Sequence, residues 1–365
     1  MDFITGGRVS PATTLASSAQ LSCGVAPETY QAPNIHHIFL KCSFTNSCFV
    51  FLQCFMNSVL QCLNRTPPLV SYILNHEYIN DLTNSKCADL FRAFAELIEK
   101  MNDNISRSPI SAQSFKNELQ QYARQFVGRN QHDAQEFLRY LLQGLHEAIN
   151  QGQKKITSAK NLDDLRKAEE SWRQYNILER SKIIDFFVGQ MKSSLKCTVC
   201  DKCSNTYEIF WDVSLPLPEL SSRTTLRDCL TEFTKEEVLD GKNMPVCAGC
   251  KKPRKCTKRF QFQKLPKILV LHLKRFTSYT SPTSSYLSSR WTRSSVNVDF
   301  PMNLDMTEFA STRELSAIKY SLYGFSCHSG TLDAGHYVAY CKIFALMNGL
   351  NSTTQSKFNF CQYNH

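Results

Sequence analysis

Cys54 is a residue whose type and position could do chemistry. It opens an apolar run that ends at Leu63 and predicts a helix beginning at the thiol. The first backbone N–H groups of a helix have no acceptor within the helix and carry the positive end of its dipole. A thiol placed there ionises more readily, and the thiolate is the nucleophilic form of cysteine. Because free cysteine is also often buried, position alone leaves Cys54 either a nucleophile or a core residue.

A histidine far along the chain could activate that thiol. His336 follows Gly335 and opens an alternating run, His-Tyr-Val-Ala-Tyr, that predicts a strand. An imidazole can take the proton of a thiol, and an amide can orient the imidazole in turn. The order of a cysteine, a distant histidine and an asparagine after it is that of papain-like thiol hydrolases.

Two CxxC pairs predict a metal site. Cys197 and Cys200 form the first pair, Cys247 and Cys250 form the second, and 46 residues separate the pairs. Four thiolates complete the tetrahedral set that a structural Zn²⁺ prefers. The alternative is four reduced cysteines that happen to be paired. The separation exceeds that of a compact zinc ribbon, so the metal is expected to join the ends of two hairpins.

The elements that must position these residues change character along the chain. From Cys54 to about residue 150 the pattern is helical, with apolar stripes at spacings of three and four in residues 90–101 and 137–149. From Ile184 onward, short β-prone runs dominate, among them 186–190, 207–215 and 268–273. A helical first half and a strand-rich second half predict an α+β enzyme with its site between two lobes.

Composition restricts the class of protein. The chain has 365 residues, 42% of them apolar and 20% charged, which is ordinary for a globular enzyme. The net charge is +10, and residues 251–275 hold ten basic residues and no acidic one. Without interleaved aromatic residues, this face is more typical of a solvated surface than of a nucleic-acid site, so nucleic acid is an unlikely partner.

The sixteen cysteines and the apolar segments indicate where in the cell the protein is located. The cysteines lack the short, even framework of a small secreted domain, which favours free or metal-bound thiols and a cytoplasmic and/or nuclear location. Neither a secretory signal nor a membrane span is expected. Residues 1–36, rich in Ser, Ala, Thr, Gly and Pro, are expected to be disordered.

Four segments resemble, in the same order, the signature motifs of the ubiquitin-specific proteases: Cys54–Leu63, Asn130–Leu138, Leu269–Phe276 and Gly335–Tyr340. The resemblance extends over roughly residues 38–342. It implies a papain-like cysteine protease with a helical thumb-like lobe, a β-rich palm-like lobe and zinc-tipped β fingers. We therefore expect a catalytic domain over residues 37–342, which binds ubiquitin and hydrolyses the isopeptide or peptide bond after its C-terminal glycine.

The resemblance also implies roles for individual residues. Cys54 is the expected nucleophile, His336 the acid and base, and Asn359 the residue that orients the imidazole. The basic tail of ubiquitin is expected to contact Asp133, Glu136, Gly335 and Tyr337. The four cysteines of the CxxC pairs are the expected zinc ligands.

The chain departs from the family pattern in the segment before the nucleophile. In the family an asparagine five residues upstream supplies a hydrogen bond to the oxyanion, and here that position holds Phe49, which cannot donate one. A second alignment treats six residues as inserted and makes Cys48 the nucleophile, with Ser43 in the donor position. Cys54 is favoured because the helical pattern follows it directly.

The C-terminal end departs as well. Residues 343–365 diverge from the family and resemble a truncated or alternatively spliced end. These departures leave an alternative function open, in which a catalytically impaired pseudoprotease binds ubiquitin without cleaving its conjugates. A zinc-ribbon nucleic-acid binder is a third interpretation, which predicts salt-dependent binding to DNA.

Overall fold

The structure is a computed structural model that describes residues 2–8, 52–103, 109–153, 164–218, 223–280, 289–311, 318–331 and 335–342. The α-helices of this described part are α1 (Cys54–Leu63), α2 (Pro67–Leu74), α3 (Tyr78–Asp81), α4 (Ala88–Asn102), α5 (Gln113–Tyr122), α6 (Ala134–Ala148), α7 (Asp164–Leu178), α8 (Lys182–Phe187) and α9 (Leu226–Thr234). No helix in these ranges is both long and apolar enough to span a bilayer.

The strands are β1 (Asp2–Arg8), β2 (Gly189–Cys197), β3 (Cys203–Phe210), β4 (Val213–Leu215), β5 (Arg223–Thr225), β6 (Glu237–Leu239), β7 (Cys256–Lys264), β8 (Ile268–Leu273), β9 (Phe276–Thr280), β10 (Ser289–Arg293), β11 (Asn297–Asp299), β12 (Asn303–Asp305), β13 (Lys319–Gly330) and β14 (Gly335–Cys341). Helices fill the first half and strands the second, which confirms the predicted α+β class.

Helix α1 is the centre of the helical lobe. Every residue of α1 except Asn57 is buried. A helix that is apolar on nearly all sides needs neighbours all round, and α6 packs on one side of α1 while β14 packs along another. The predicted apolar stripes of α4 and α6 are buried in the same core. The nucleophile candidate therefore lies at the start of a helix that is packed on nearly all sides.

A six-stranded sheet forms the base of the second lobe. Its strands lie in the order β12-β13-β1-β8-β4, and β14 pairs with β13. All six residues of β8 are buried, as expected for a strand covered on both faces. A second core packs against this sheet and includes α9. The sheet fixes β13, and β13 in turn holds the strand that begins at Gly335.

The expectation of disorder in residues 1–36 is wrong for Asp2–Arg8. These residues form β1, which pairs antiparallel with β8 on one edge and with β13 on the other. Two adjacent glycines, Gly6 and Gly7, weaken the local strand signal. The ladder partners lie more than 260 residues away in sequence, so no local pattern reveals the pairing. Residues 9–51 lie outside the described part of the chain.

A separate four-stranded sheet carries the two CxxC pairs. Its order is β3-β2-β7-β6, and β2 pairs with both β3 and β7 over most of its length. One CxxC pair spans the last residue of β2 and the turn after it, and the other lies in the loop before β7. The metal-site candidates therefore lie together at the tip of this sheet.

One predicted strand is wrong in part. Residues 186–190 read as β-prone, but Phe186 and Phe187 end α8, and β2 begins at Gly189. The Ser181 side chain accepts a hydrogen bond from the Ile184 N–H at 3.2 Å and caps the helix. Burial of the two phenylalanines against the helical lobe, together with this cap, outweighs their β propensity.

Candidate active site and metal centre

Cys54 occupies the first turn of α1. Gln53 precedes it with extended backbone angles, and its carbonyl accepts the N–H of Asn57. The backbone N–H groups between them, including that of Cys54, have no acceptor within the helix. The side chain of Gln53 does not cap the helix but donates from Nε2 to the Gly128 carbonyl at 2.8 Å. Cys54 is only 9% exposed, and it lines a cleft.

His336 lies across a narrow cleft from this thiol. Two elements line the cleft. Helix α1 contributes Cys54, Asn57, Ser58 and Gln61, and β14 contributes His336, Tyr337, Val338 and Ala339. The fold therefore brings together a thiol and an imidazole that are 282 residues apart in sequence. This is the pair that nucleophilic thiol chemistry requires.

Side-chain contacts hold α1 against the β13–β14 hairpin. Ser58 and Ser326 hydroxyls lie 2.9 Å apart, and the Thr66 hydroxyl lies 2.7 Å from the Tyr323 hydroxyl. These pairs are buried, so their hydrogen bonds stabilise one relative placement of helix and hairpin. In the hairpin, Ser329 pairs with His336. The position of the imidazole relative to the thiol is thus set by the same contacts.

Three carboxylates lie close to the start of α6. Asp133 is the N-cap of α6 and accepts from the Gln135 N–H at 2.9 Å. Glu136 lies in the first turn and is exposed. The Gln135 side chain donates from Nε2 to Asp212 at 2.8 Å, so a third carboxylate joins this face.

Burial raises the pKa of both Asp133 and Asp212. The Gln135 backbone N–H opposes the rise at Asp133, and the Gln135 side chain and the Arg139 guanidinium oppose it at Asp212. The guanidinium of Arg139 stacks on the Trp211 ring at 4.5 Å. These carboxylates are partly desolvated, and a cationic ligand would relieve that penalty.

The four CxxC thiols meet at the tip of the second sheet. Their sulfur atoms all lie within 4.8 Å of one another. A tetrahedral set with metal–sulfur bonds of about 2.3 Å places sulfurs roughly 3.8 Å apart, so the cluster fits one ion. The cluster members are Cys197, Cys200, Cys247 and Cys250.

The two CxxC turns have the same backbone design. In the first, the Asp201 N–H bonds to the Cys197 carbonyl at 3.1 Å, and in the second the Lys251 N–H bonds to the Cys247 carbonyl at 2.8 Å. Asp201 and Lys251 both adopt a positive φ, 54° and 56°. Hydrogen bonds from the Cys250 and Gly249 N–H groups lower the pKa of Cys247 to about 6, which favours the thiolate that a metal binds.

Similarity to known proteins shows the family of this chain. The profile described as "UCH: Ubiquitin carboxyl-terminal hydrolase" matches residues 50–365. The chain belongs to this family. It is 45% identical over 297 residues to ubiquitin carboxyl-terminal hydrolase 2 of Bos taurus, an alignment that covers 79% of this chain and 48% of that protein.

Other members of the family are similar to this chain at greater distance. Ubiquitin carboxyl-terminal hydrolase 21 of Homo sapiens is 36% identical over 313 residues, covering 79% of this chain and 54% of that protein. The chain thus spans about half the length of these curated relatives. The SAGA Ubp8/Sgf11/Sus1/Sgf73 DUB module bound to ubiquitin aldehyde has a similar fold, with a TM-score of 0.60 at 23% identity over 81% of this chain and 61% of that one.

The remaining site candidates of this family member fall into two groups. Asn359, Cys48 and Phe49 lie outside the described residues, so the orienting residue and the choice between Cys54 and Cys48 stay predictions. Tyr337 is described: it lines the cleft, and its ring packs against His328 with centroids 4.7 Å apart. Tyr337 is only 7% exposed, so most of its surface is covered by other residues of this chain.

Gln131 and Asp212 are two further site residues that were not predicted from the sequence. The Cys54 thiol donates to Oε1 of Gln131 at 3.4 Å. Gln131 lies within the Asn130–Leu138 motif, which also contains Asp133, so this motif could have identified Gln131 as a site residue. Asp212 lies within the β-prone run 207–215, and only its tertiary contact with Gln135 identifies it.

The lack of a side chain at Gly335 is required by the hairpin itself. A Cβ there would lie 1.9 Å from Nε2 of His328 and 2.8 Å from the Thr331 carbonyl. We expect Gly335→Ala to displace the His328 ring and shift the start of β14. The free energy of unfolding should fall by about 1–3 kcal/mol and turnover by at least tenfold, measured by thermal melting and by ubiquitin–fluorophore hydrolysis.

The double variant Gly335→Ala/His328→Ala provides the control for this prediction. Removing the imidazole eliminates the shorter contact and leaves only that with Thr331, so part of the lost stability should return. A single variant that melts and turns over like the parent protein would show that the hairpin accommodates the methyl group without moving His336.

Asp212→Asn should stabilise the protein at neutral pH. Since burial raises the pKa of Asp212, the folded state binds its proton more tightly than the unfolded state, and stability from this group is lost as pH rises through the folded pKa. Asparagine stays neutral and can still accept from Gln135. We expect a melting temperature a few degrees higher at pH 7.5, and a difference that shrinks as pH falls toward the unfolded value of about 3.9.

Melting of both proteins from pH 4 to 8 checks this prediction. If the parent protein is the more stable one at pH 7.5, the attraction of Arg139 outweighs the burial of the carboxylate.

Proposed function

We propose that this chain is a cysteine-type deubiquitinase, which hydrolyses the isopeptide or peptide bond after the C-terminal glycine of ubiquitin. The observation that carries the proposal is the cleft in which Cys54, at a helix start, faces His336, at a strand start. Membership of the ubiquitin carboxyl-terminal hydrolase family supports ubiquitin as the substrate.

The cleft accounts for each step of the reaction. Cys54 Sγ attacks the glycine carbonyl while His336 takes the thiol proton, and a C–S bond forms as the carbonyl electron pair moves to oxygen. His336 then gives its proton to the leaving amine as the C–N bond breaks, and ubiquitin remains as a thioester on Cys54. Water, deprotonated by His336, hydrolyses this thioester and restores the thiol. In this proposal Asn359 orients the imidazole.

The acidic face beside α6 is proposed to bind the basic tail of ubiquitin. Asp133 and Glu136 supply carboxylates at the start of α6. Asp212 adds a third carboxylate, which accepts a hydrogen bond from the Gln135 side chain of the same helix. Charge-assisted hydrogen bonds from arginine to such carboxylates are stronger than neutral ones. Tyr337 and Gly335 are proposed to shape the channel next to the imidazole.

The thiol cluster is proposed to hold a structural Zn²⁺. Cys197, Cys200, Cys247 and Cys250 supply four sulfur ligands and leave no open position for catalysis. The metal would hold the two CxxC turns together and stiffen the sheet that carries them. Every described cysteine is a free thiol, which supports a reducing location in the cytoplasm and/or nucleus.

Reaction with an electrophilic ubiquitin probe, detected by intact mass, tests the proposed function. The parent protein should gain one ubiquitin, and Cys54→Ala should gain none, whereas Cys48→Ala should react like the parent. Loss of labelling only in Cys48→Ala would move the nucleophile by six residues. A folded protein that binds ubiquitin and never reacts would be a pseudoprotease, and the proposed hydrolysis would be wrong.

A further inference from the structure

Gln131 places a side-chain amide against the thiol of Cys54. The thiol donates to Oε1 of Gln131 at 3.4 Å, and within the described part of the chain this is the hydrogen bond that the Gln131 side chain makes. Gln131 is an exposed residue in the loop before α6, whereas Cys54 is only 9% exposed. The amide is therefore next to the atom at which the reaction would begin.

The loop on both sides of Gln131 is held against the start of α1. Upstream, the Gly128 carbonyl accepts from Nε2 of Gln53, the residue before the thiol. Downstream, the ring of His132 packs on Phe55, the residue after the thiol, with centroids 5.6 Å apart in an edge-to-face arrangement. Two tethers to the neighbours of Cys54 thus fix the loop, and the amide is preorganised instead of being drawn in by substrate.

An amide in this position can form a hydrogen bond both with the neutral thiol and with the thiolate. Glutamine has an acceptor oxygen and two N–H donors on one terminal group, and its last torsion is broad and roughly two-fold. The oxygen accepts from the neutral thiol. Once His336 has taken the proton, the thiolate can only accept, and a half-turn of the amide presents Nε2 to it.

The same donor would reach the oxygen of the tetrahedral intermediate. That oxygen is bonded to the carbon that the sulfur attacks, so it forms beside the sulfur that the amide already contacts. The Cys54 backbone N–H, free at the helix start, supplies one donor. In the alignment that makes Cys54 the nucleophile, Phe49 stands where the family has its side-chain donor, and phenylalanine has none. The Gln131 amide, already in contact with the thiol, can supply a second donor.

We propose that Gln131 is a catalytic residue of this chain, whose side-chain amide donates a hydrogen bond to the oxyanion formed at Cys54. The inference rests on the proposed hydrolysis for its natural substrate, but the oxyanion itself forms with any acyl group that Cys54 attacks. The role can therefore be tested with and without ubiquitin.

The first test measures ubiquitin–fluorophore hydrolysis by Gln131→Ala and Gln131→Glu in the full chain. Loss of one oxyanion donor should lower kcat about 100-fold with KM unchanged within about threefold. Because glutamine does not titrate, the loss in Gln131→Ala should be the same from pH 6 to pH 9. Gln131→Glu keeps an acceptor but has no donor when ionised, so it should be at least as impaired. The control is Gln121→Ala, an exposed glutamine on α5.

Acylation of Cys54 by p-nitrophenyl acetate, detected by intact mass, separates this inference from the proposed function. The sulfur attacks the acetyl carbon, p-nitrophenolate leaves, and Gln131→Ala should acylate about 100-fold more slowly than the parent protein. If this difference appears while ubiquitin conjugates are not cleaved, the inference stands and the proposed function is wrong.

Three results would overturn the inference. The first is Gln131→Ala with kcat and acylation within twofold of the parent. The second is a loss that disappears at pH 9, where most thiols are ionised, because this would mean that Gln131 only orients the thiol. The third is a parent protein in which Cys54 is not acylated at all, since no oxyanion site would then exist at this thiol.

Discussion

Replacing His336 with alanine is expected to reduce ubiquitin–fluorophore hydrolysis by at least about 10⁴-fold. The cleft places this imidazole opposite Cys54, and without it the thiol has no partner to take its proton or to protonate the leaving amine. Affinity for ubiquitin, measured by calorimetry, should stay within about threefold of the parent because the acidic face beside α6 is unchanged. Steady-state kinetics at saturating substrate give the loss in kcat.

The matched control is His76→Ala. His76 lies on the surface, with its side chain 60% exposed and Nδ1 3.4 Å from a Glu99 oxygen, so its removal should leave kcat within twofold. If His336→Ala retained a tenth or more of the parent activity, the pairing of Cys54 with His336 as nucleophile and base would be wrong.

The second large effect is expected at the thiol cluster. Cys247→Ser should lose the bound metal and lower the melting temperature by about 10 °C or more, because a structural Zn²⁺ contributes its binding free energy to folding. Cys247 accepts hydrogen bonds from Gly249 and Cys250 at its sulfur and begins its turn, which the Lys251 N–H closes on the Cys247 carbonyl. Native mass spectrometry should show one zinc per chain in the parent protein and none in the variant.

Cys203→Ser is the control for the metal prediction. Cys203 follows the first CxxC pair by three residues, but it is exposed, and its sulfur donates to Asn205 at 3.4 Å instead of joining the cluster. This variant should keep one zinc and melt like the parent. A parent protein that carries no metal, and whose melting does not respond to a strong chelator, would contradict the proposed zinc site.

Much of the helical lobe could be predicted from the sequence. The stripes of α4 and α6 follow the helical period, and each is buried as the spacing indicates. The start of α1 at Cys54 and the N-cap at Asp133 were also predictable, since both depend on residues adjacent in sequence. Local patterns suffice here because a helix satisfies its backbone hydrogen bonds within a few residues.

Pairings between distant strands could not be predicted in this way. Strand β1 lies between β8 and β13, and no pattern in residues 2–8 indicates partners more than 260 residues away. The helical Phe186 and Phe187 are a smaller case, in which a cap from Ser181 and burial overrode β propensity. Sheet register depends on side-chain packing between strands, which local sequence does not contain.

For the candidate site, the sequence by itself determined the chemical groups: a thiol at a helix start, a histidine at a strand start, two CxxC pairs and acidic residues on one helix. Those groups follow from residue type and short spacing. Only the tertiary structure decided that Cys54 and His336 share a cleft, that Gln131 contacts the thiol, and that His328 fills the space beside Gly335. The reason is physical: each of these contacts joins elements whose relative placement is set by packing of the core between them.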